Sequence, residues 1–222
     1  MIIEIETCPD RDALALAAAE AIAQALAPTG SVSLVATGGS TPGATYDRLA
    51  AMDLDWGRVT VTLSDDRWVD STAPESNERL VRERLLVGHA AGARFLPLKG
   101  RGATPHEDAA AAEPAIQALF PFDAVLLGMG EDGHIASLFP GNPEPDPARL
   151  CLGVAMSRLA PFLPRVTLTL GALLRTGQLV LQITGEAKRA LVERVLADPA
   201  YAPPVAGILR QTRAPVRVLW AL

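Results

Sequence analysis

Glycines, two carboxylates and an imidazole lie together in the segment GMGEDGH, residues 128–134. Histidine is the side chain that most readily takes up and returns a proton near neutral pH, and a carboxylate close by can orient its ring. We therefore predict that His134 is a general base, with Asp132 or Glu131 as the carboxylate that orients it. The alternative for a single histidine is an ordinary place in the core or on the surface.

The chain before and within this segment predicts a strand followed by a ligand-binding loop. Residues 125–127 form a short apolar run that ends at Gly128, which is typical of a buried strand. Ligands of parallel α/β sheets bind beyond the carboxyl ends of the strands. Because Gly130 and Gly133 lack side chains, we expect backbone amides of this loop to approach the ligand and to stabilise negative charge on it.

The same segment also fits the dinucleotide-binding pattern G-x-G-x-x-G, residues 128–133. A dinucleotide site needs a helix directly behind the loop, so that the helix N-terminus receives the pyrophosphate. Here Pro140 follows six residues after His134, and two carboxylates lie where the pyrophosphate would bind. Because like charges repel, we reject a dinucleotide cofactor.

A second glycine loop lies between an apolar run, residues 32–36, and Pro42. Proline is favoured at the first position of a helix, so this loop is predicted at a helix N-terminus, where free amides and the helix dipole attract an anion. The alternative is a tight turn with a capping residue. The loop lacks the Gly-Lys-Ser/Thr ending of a nucleotide P-loop, so ATP or GTP is not implied. The candidate anion-binding residues are Gly38, Gly39, Ser40 and Thr41.

Basic side chains follow two further predicted strands. Arg67 comes after the run 59–63 and is expected to clamp a phosphate, with the neighbouring carboxylates of Asp65 and Asp66 orienting it. A solvated surface ion pair is the alternative. Of the two carboxylates, Asp66 is the candidate site residue. Lys188 comes after the run 179–184, in the first turn of a helix, where a cation is unfavourable toward the helix dipole. A bound anion would offset that repulsion.

The elements that position these residues alternate between strands and helices. The predicted strands are 2–5, 32–36, 59–63, 95–98, 125–127, 152–155, 165–169, 179–184 and 216–220, and the predicted helices are 10–27, 42–52, 75–86, 104–119 and 185–197. Asp10 is a plausible cap of the first helix, and the proline-rich segment 140–147 is expected to be a surface excursion. Alternation with short links predicts one α/β domain over residues 1–222, with a doubly wound, mainly parallel sheet and helices on both faces.

The amino-acid composition limits the kinds of protein to which this chain can belong. Of 222 residues, 49% are apolar and 20% charged, which is ordinary for a globular protein, and the net charge of -5 argues against a generic nucleic-acid binder. Two isolated cysteines, Cys8 and Cys151, are too few for a disulfide framework or a thiolate metal site. With no signal peptide and no apolar run long enough for a membrane, we expect a cytoplasmic protein that binds neither nucleic acid nor membrane.

Five segments resemble those of the 6-phosphogluconolactonases, in the same order along the chain. They are 38–42 (GGSTP), the Asp66–Arg67 pair with Ser76 and Asn77, 128–141 (GMGEDGHIASLFPG), 165–169 (RVTLT) and 185–188 (GEAK). The resemblance spans about residues 32–220. It implies a Rossmann-like fold of the glucosamine-6-phosphate deaminase/ribose-5-phosphate isomerase type. It also implies hydrolysis of 6-phospho-D-glucono-1,5-lactone to 6-phospho-D-gluconate, in the oxidative pentose phosphate pathway.

The resemblance further implies roles for individual residues. His134 would activate water for attack on the lactone, oriented by Asp132 or Glu131, without a metal or other cofactor. Residues implied to bind the substrate or its phosphate are Gly38, Gly39, Ser40, Thr41, Asp66, Arg67, Asn77, Gly130, Gly133, Arg165 and Lys188. The only partner implied is the sugar-phosphate lactone, and the protein is expected to be a monomer or a weak homodimer.

Two alternatives are weighed against this interpretation. Glucosamine-6-phosphate deaminases share the string DGHIA, but their motif continues with a glutamate five residues after the histidine, where this chain has Phe139. A catalytically inactive sugar-phosphate sensor usually carries a DNA-binding helix-turn-helix ahead of this fold, and we expect too little room for one before Gly38. The intact loop around His134 also favours an enzyme.

Overall fold

The computed structural model describes Ile3 and residues 5–142, 146–157 and 161–222. The strands are β1 (Ile5–Thr7), β2 (Val32–Ala36), β3 (Val59–Leu63), β4 (Asp65–Arg67), β5 (Arg94–Phe95), β6 (Phe122–Leu127), β7 (Cys151–Val154), β8 (Arg165–Leu168), β9 (Thr176–Thr184) and β10 (Val216–Ala221). The helices are α1 (Arg11–Ala25), α2 (Pro42–Ala50), α3 (Asn77–Arg84), α4 (Pro105–Gln117), α5 (Leu170–Leu173), α6 (Glu186–Ala197) and α7 (Ala206–Leu209). Trp56–Arg58 and Gly88–Gly92 are 3₁₀ turns.

Seven strands of the described residues form one parallel sheet, in the order β1-β10-β9-β6-β2-β3-β5. The chain runs outward from β2 through β3 to β5, and then returns to place β6 on the other side of β2. Strands β2 and β3 are buried at every position, so other elements cover both faces of the sheet there. The predicted α/β fold with a doubly wound, mainly parallel sheet is confirmed.

Four of the described helices, α1, α3, α4 and α5, begin where a short polar side chain satisfies one of the first amides. Asp10 accepts a hydrogen bond from the Ala13 amide at 2.7 Å and caps α1, as predicted. The buried positions of α1 are mostly alanine, together with Leu14 and Ile22, and these small side chains let the helix pack closely against β9 and β10. In the described part of the chain, no helix is long and apolar enough to cross a bilayer.

A second sheet was not predicted. Strand β8 pairs antiparallel with both β4 and β7 and forms a three-stranded sheet outside the parallel one. Residues 64–69, interpreted as a loop from the sequence, therefore contain the strand Asp65–Arg67. The error has a physical cause, since a three-residue strand shows little periodicity and its partner β8 lies about a hundred residues further along the chain.

Several predicted boundaries shift by a few residues. The first strand, predicted at 2–5, is observed at Ile5–Thr7, and residues 2 and 4 lie outside the described residues. Residues 143–145 of the predicted surface excursion also lie outside them. The predicted strand 95–98 is only Arg94–Phe95, and the short helices α5 and α7 were not predicted. Strands 32–36 and 59–63 are confirmed at the predicted residues.

Candidate active site

A cleft of about 190 Å³ opens beyond the carboxyl ends of β2 and β6. These strands are neighbours at the point where the strand order reverses, which is where open α/β sheets bind their ligands. The structure brings ten of the predicted site residues to this cleft: Gly38, Gly39, Ser40, Thr41, Arg67, Asn77, Gly130, His134, Arg165 and Lys188. Four others do not line it: Asp66, Glu131, Asp132 and Gly133.

The His134 ring is oriented by Asp132. Nδ1 of His134 lies 2.6 Å from Oδ1 of Asp132, and the His134 backbone amide donates to the same oxygen at 3.1 Å. Since the carboxylate accepts the bond, a neutral ring carries its proton on Nδ1 and leaves the lone pair of Nε2 free. Partial burial acts to raise the pKa of Asp132, but the hydrogen bonds from His134 outweigh it, so this pKa lies below its usual value.

The glycines of this loop leave room for the ring rather than for a ligand. A Cβ on Gly130 would overlap Cε1 and Nδ1 of His134. Gly133 has a φ of +80°, and a Cβ there would lie 2.7 Å from Pro203. The Gly130 amide donates to the His134 carbonyl at 2.9 Å, and the Gly133 amide donates to the Gly130 carbonyl at 3.0 Å. The expectation that these two amides stabilise charge on the ligand is therefore wrong, because both are bonded within the loop.

Glu131 is not the partner of the ring. It is exposed, and its charge acts on Lys188 across the cleft mouth. Burial lowers the pKa of Lys188, and the attraction of Glu131 opposes that effect only in part, so the pKa lies below its usual value. Of the two carboxylates proposed from the sequence, Asp132 is the one that contacts His134.

Two of the helix starts that line the cleft, those of α2 and α6, carry no side-chain cap. Helix α2 begins at Pro42 as predicted, and Thr41 makes no capping hydrogen bond. Helix α6, which holds Lys188 in its first turn, begins after Gly185 and has no side-chain cap either. By contrast, α1, α3, α4 and α5 are capped by the side chains of Asp10, Ser76, Thr104 and Thr169. The first amides of α2 and α6 are thus available to an anion.

The loop before α2 is held in place by buried side chains. The Tyr46 hydroxyl accepts a hydrogen bond from the Thr37 amide at 2.8 Å and donates one to the Thr37 carbonyl at 2.5 Å. Asn77 packs so closely on Gly38 that a Cβ there would overlap its side-chain amide. Gly39 has a φ of +101°, which strongly favours glycine. The loop is therefore positioned before any ligand binds.

Two arginines lie directly opposite each other on neighbouring strands of the small sheet. Arg67 of β4 pairs with Arg165 of β8, and like charges at such positions repel. Asp65 is 3.9 Å from Arg165 Nη1 and offsets part of this repulsion. Burial lowers the pKa of Arg165. Among the described residues, Nε of both arginines is buried without a hydrogen-bond partner, so both can donate to a ligand oxygen.

Asp65 and Asp66, the two aspartates before Arg67, point to opposite sides of strand β4. Alternate residues of a strand point to opposite sides, so Asp65 lines the cleft with Arg67 while Asp66 does not. Asp66 instead accepts hydrogen bonds from the amides of Asn77 at 2.6 Å and Glu78 at 3.2 Å, and thereby holds the start of α3. Burial raises its pKa to about 6. The prediction chose Asp66, and the alternation of a recognised strand would have indicated Asp65.

Gln182 is a cleft residue that the sequence interpretation missed. It lies in β9 among apolar, buried neighbours, and its side chain is 3% exposed. Its Oε1 accepts a hydrogen bond from Thr45 Oγ1 at 3.1 Å. A single polar residue within an otherwise apolar buried strand was the available signal, because an amide in such a position needs a partner. Ala136, which also lines the cleft, has a φ of +47°, unusual for a residue other than glycine.

Phe139 stands where the deaminase motif has its glutamate. Its ring is 96% buried and lies 5.0 Å from the His134 ring, measured between centroids. The guanidinium carbon of Arg165 lies 5.6 Å from the same phenyl centroid. His134 and Arg165 therefore both contact the Phe139 ring. In the described ranges, no three His, Cys, Asp or Glu side chains are arranged to hold a metal ion.

The sequence of this chain matches a known protein family and several of its members. The family of glucosamine-6-phosphate isomerases/6-phosphogluconolactonase matches residues 9–220. A 6-phosphogluconolactonase of Caulobacter vibrioides is 50% identical over 229 aligned residues, which cover 99% of this chain and 97% of that protein. One from Rhizobium meliloti is 39% identical, with 90% of this chain and 89% of that protein covered.

Solved structures give the same result for the fold. The crystal structure of a 6-phosphogluconolactonase from Shewanella baltica superposes with a TM-score of 0.91 at 35% identity, covering 100% of this chain and 98% of the other. A monomeric glucosamine-6-phosphate deaminase superposes with a TM-score of 0.84 over 99% of this chain and 97% of its own. That deaminase is only 18% identical, so its likeness concerns the fold alone.

Proposed function

The chain belongs to the family of glucosamine-6-phosphate isomerases and 6-phosphogluconolactonases, and from this premise we propose that it hydrolyses 6-phospho-D-glucono-1,5-lactone with His134 as general base. The product is 6-phospho-D-gluconate, and the reaction belongs to the oxidative pentose phosphate pathway. The shared name of its relatives, at up to 50% identity, supports the activity. The observation that supports the role of His134 is its 2.6 Å contact with Asp132 at the edge of the cleft.

The reaction is hydrolysis of a cyclic ester. Nε2 of His134 takes a proton from water as the water oxygen attacks the lactone carbonyl carbon. The same nitrogen returns the proton to the ring oxygen when the bond between that oxygen and the carbonyl carbon breaks. Asp132 remains ionised, keeps the ring in the required tautomer and stabilises the imidazolium that forms between the two steps.

Negative charge develops on the carbonyl oxygen during the attack. Since the amides of Gly130 and Gly133 are bonded within their loop, we assign the stabilisation of this oxyanion to Arg165. Its guanidinium lies beside the same phenyl ring as His134, and its Nε is free to donate. A buried guanidinium donates more strongly to an anionic oxygen than to a neutral one, so it favours the transition state over the substrate.

The phosphate of the substrate is bound by helix amides and cations of the same cleft. The uncapped start of α2 offers backbone amides near Gly39, Ser40 and Thr41, while Lys188 and Arg67 supply positive charge. A bound phosphate offsets the unfavourable position of Lys188 in the first turn of α6. Binding this remote group holds the lactone carbonyl against His134 and so contributes to the rate of the chemical step.

The test is the decay of freshly prepared 6-phosphogluconolactone, followed by NMR with and without the protein and compared with the spontaneous rate. A parallel sample contains glucosamine 6-phosphate and is assayed for released ammonia. We expect acceleration with the lactone alone. Release of ammonia would instead establish the deaminase activity, and no reaction in either sample would favour a sugar-phosphate sensor.

The proposal also covers the domain organisation, the cellular location and the oligomeric state. We propose a single domain over residues 1–222, a cytoplasmic location, and a monomer or weak homodimer. Both cysteines, Cys8 and Cys151, are free and buried, which is compatible with a reducing compartment. Sedimentation equilibrium measures self-association, and a dimer that persists at nanomolar concentration would contradict the proposed monomer or weak homodimer.

A further inference from the structure

The amide nitrogen of Gln182 is a buried donor without a partner. The side chain is 3% exposed, and Nε2 makes no hydrogen bond to any described residue. An unsatisfied buried N–H destabilises the folded state, so such groups are uncommon unless a ligand or water completes them. Gln182 lines the cleft, which means that a bound ligand can supply the missing acceptor.

In the observed orientation of the Gln182 amide, Thr45 contacts the oxygen and leaves the nitrogen unpaired. Its side chain is fully buried, and Oγ1 donates to Gln182 Oε1 at 3.1 Å, leaving Nε2 as the free end. The opposite amide orientation would present an oxygen to the cleft. An anion in the cleft repels that oxygen and attracts the N–H group, so binding of an anion reinforces the observed orientation.

Thr45 also locates the donor within the cleft. It is the fourth residue of α2, the helix whose first amides have no side-chain cap. The free Nε2 therefore lies beside the first turn of α2 and lines the same cleft as Lys188. This placement matches a group that binds the anion rather than one that takes part in proton transfer.

We propose that Gln182 Nε2 donates a hydrogen bond to a phosphoryl oxygen of the ligand, as a neutral specificity-determining donor under the start of α2. The proposal rests on the proposed function, because it takes the phosphate of the lactone as the anion. A neutral donor adds directional recognition that the point charge of Lys188 lacks. It selects phosphorylated ligands without adding to the repulsion among the nearby cations.

The experiment measures binding of inorganic phosphate and of 6-phosphogluconate by calorimetry, together with lactone hydrolysis, in wild type, Gln182→Leu and Gln182→Glu. Loss of a hydrogen bond to a charged group raises Kd by about tenfold to a hundredfold, so we expect that change for both ligands in Gln182→Leu. KM rises in parallel, whereas kcat changes by less. Gln182→Glu, which places a carboxylate under the anion, binds phosphate more weakly still.

Thermal unfolding separates this role from a structural one. Gln182→Leu removes an unpaired buried N–H but also leaves the Thr45 hydroxyl without its acceptor, so the two effects oppose each other in the unfolding temperature without ligand. The test is the increment caused by ligand: phosphate raises the unfolding temperature of Gln182→Leu less than that of wild type. Gln178→Leu, on the same strand but outside the cleft, serves as the matched control and leaves phosphate affinity unchanged.

Two outcomes would overturn the assignment. One is an unchanged phosphate affinity in Gln182→Leu, with an unchanged increment of unfolding temperature on adding phosphate. The other is weaker binding of 6-phosphogluconate with unchanged binding of inorganic phosphate, which would place the contact on a sugar hydroxyl. If wild type binds phosphate through Gln182 yet does not accelerate lactone hydrolysis, the proposed function fails and this inference stands.

Discussion

The two sides of the cleft differ in how far the protein satisfies its own polar groups. On one side, the loop of residues 128–134 is bonded to itself, and Asp132 already holds the His134 ring. On the other side, the first turns of α2 and α6 have no side-chain caps, and Gln182 Nε2 has no partner among the described residues. The proposed base is thus positioned in advance, whereas the groups proposed to bind the anion have donors left for a ligand.

Two helices that begin away from the cleft, α1 and α4, have side-chain caps. Asp10 and Thr104 each accept a hydrogen bond from an amide in the first turn of their own helix, α1 or α4. A helix start with a cap contributes to stability on its own, while one without a cap leaves donors that only an anion or water can use. The difference predicts that substitutions on the two sides of the cleft change different kinetic constants.

The largest effect is expected from His134→Ala. Removal of a general base lowers kcat by about a hundredfold or more, while KM changes little because the phosphate is bound elsewhere. Lactone decay followed by NMR, corrected for the spontaneous rate, measures both constants. His89→Ala, which changes a largely exposed histidine, is the matched control and keeps wild-type kinetics. Near wild-type turnover in His134→Ala would show that another group activates water.

The next effect is expected from Asp132→Ala, which removes the partner of the ring. Groups that orient a functional histidine are worth about tenfold to a hundredfold, so kcat falls while KM stays close to wild type. The folded-state pKa of Asp132 is lowered, so its contribution to stability is present above about pH 4 and is lost as the pH falls through the folded pKa. The difference in unfolding temperature from wild type should therefore vanish in acid. An unchanged kcat would contradict the orienting role.

Arg67→Ala tests the groups proposed to bind the phosphate. The arginine donates to the Glu75 carbonyl at 2.6 Å and keeps Nε free for the ligand. Losing a charge-assisted hydrogen bond to phosphate should raise KM by about tenfold, with a smaller change in kcat. Arg79→Ala, an exposed arginine of α3 paired with Glu83, is the control. If KM and phosphate affinity were unchanged, Arg67 would not bind the phosphate.

The smallest effect is expected from Asp10→Ala, at a capped helix start. Loss of an N-cap lowers the free energy of unfolding by about 1 kcal/mol and should leave both kinetic constants unchanged, because α1 begins outside the cleft. Denaturant unfolding and the lactone assay measure the two quantities. A change in KM here would contradict the separation between stabilising and ligand-binding helix starts.

Much of the fold follows from local patterns. The strands 32–36 and 59–63 are predicted at their observed residues because apolar runs of that length, closed by turn residues, can only be buried strands in an alternating chain. Asp10 and Pro42 mark the starts of α1 and α2, because capping and the fixed φ of proline act within one turn. The catalytic candidate His134 is equally local, since its partner lies two residues away.

The tertiary structure decided what depends on distant pairing. The choice of Asp65 over Asp66 follows from the pairing of β4 with β8, about a hundred residues further along the chain, which no local pattern contains. The occupied amides of Gly130 and Gly133 depend on how the loop closes, and the free nitrogen of Gln182 depends on Thr45, 137 positions earlier. Sequence alone therefore determined most of the longer elements and placed the proposed base beside its partner, because these depend on short-range sterics and periodicity. The fold determined which polar groups are satisfied and which remain for the ligand, because hydrogen bonding depends on which segments meet in space.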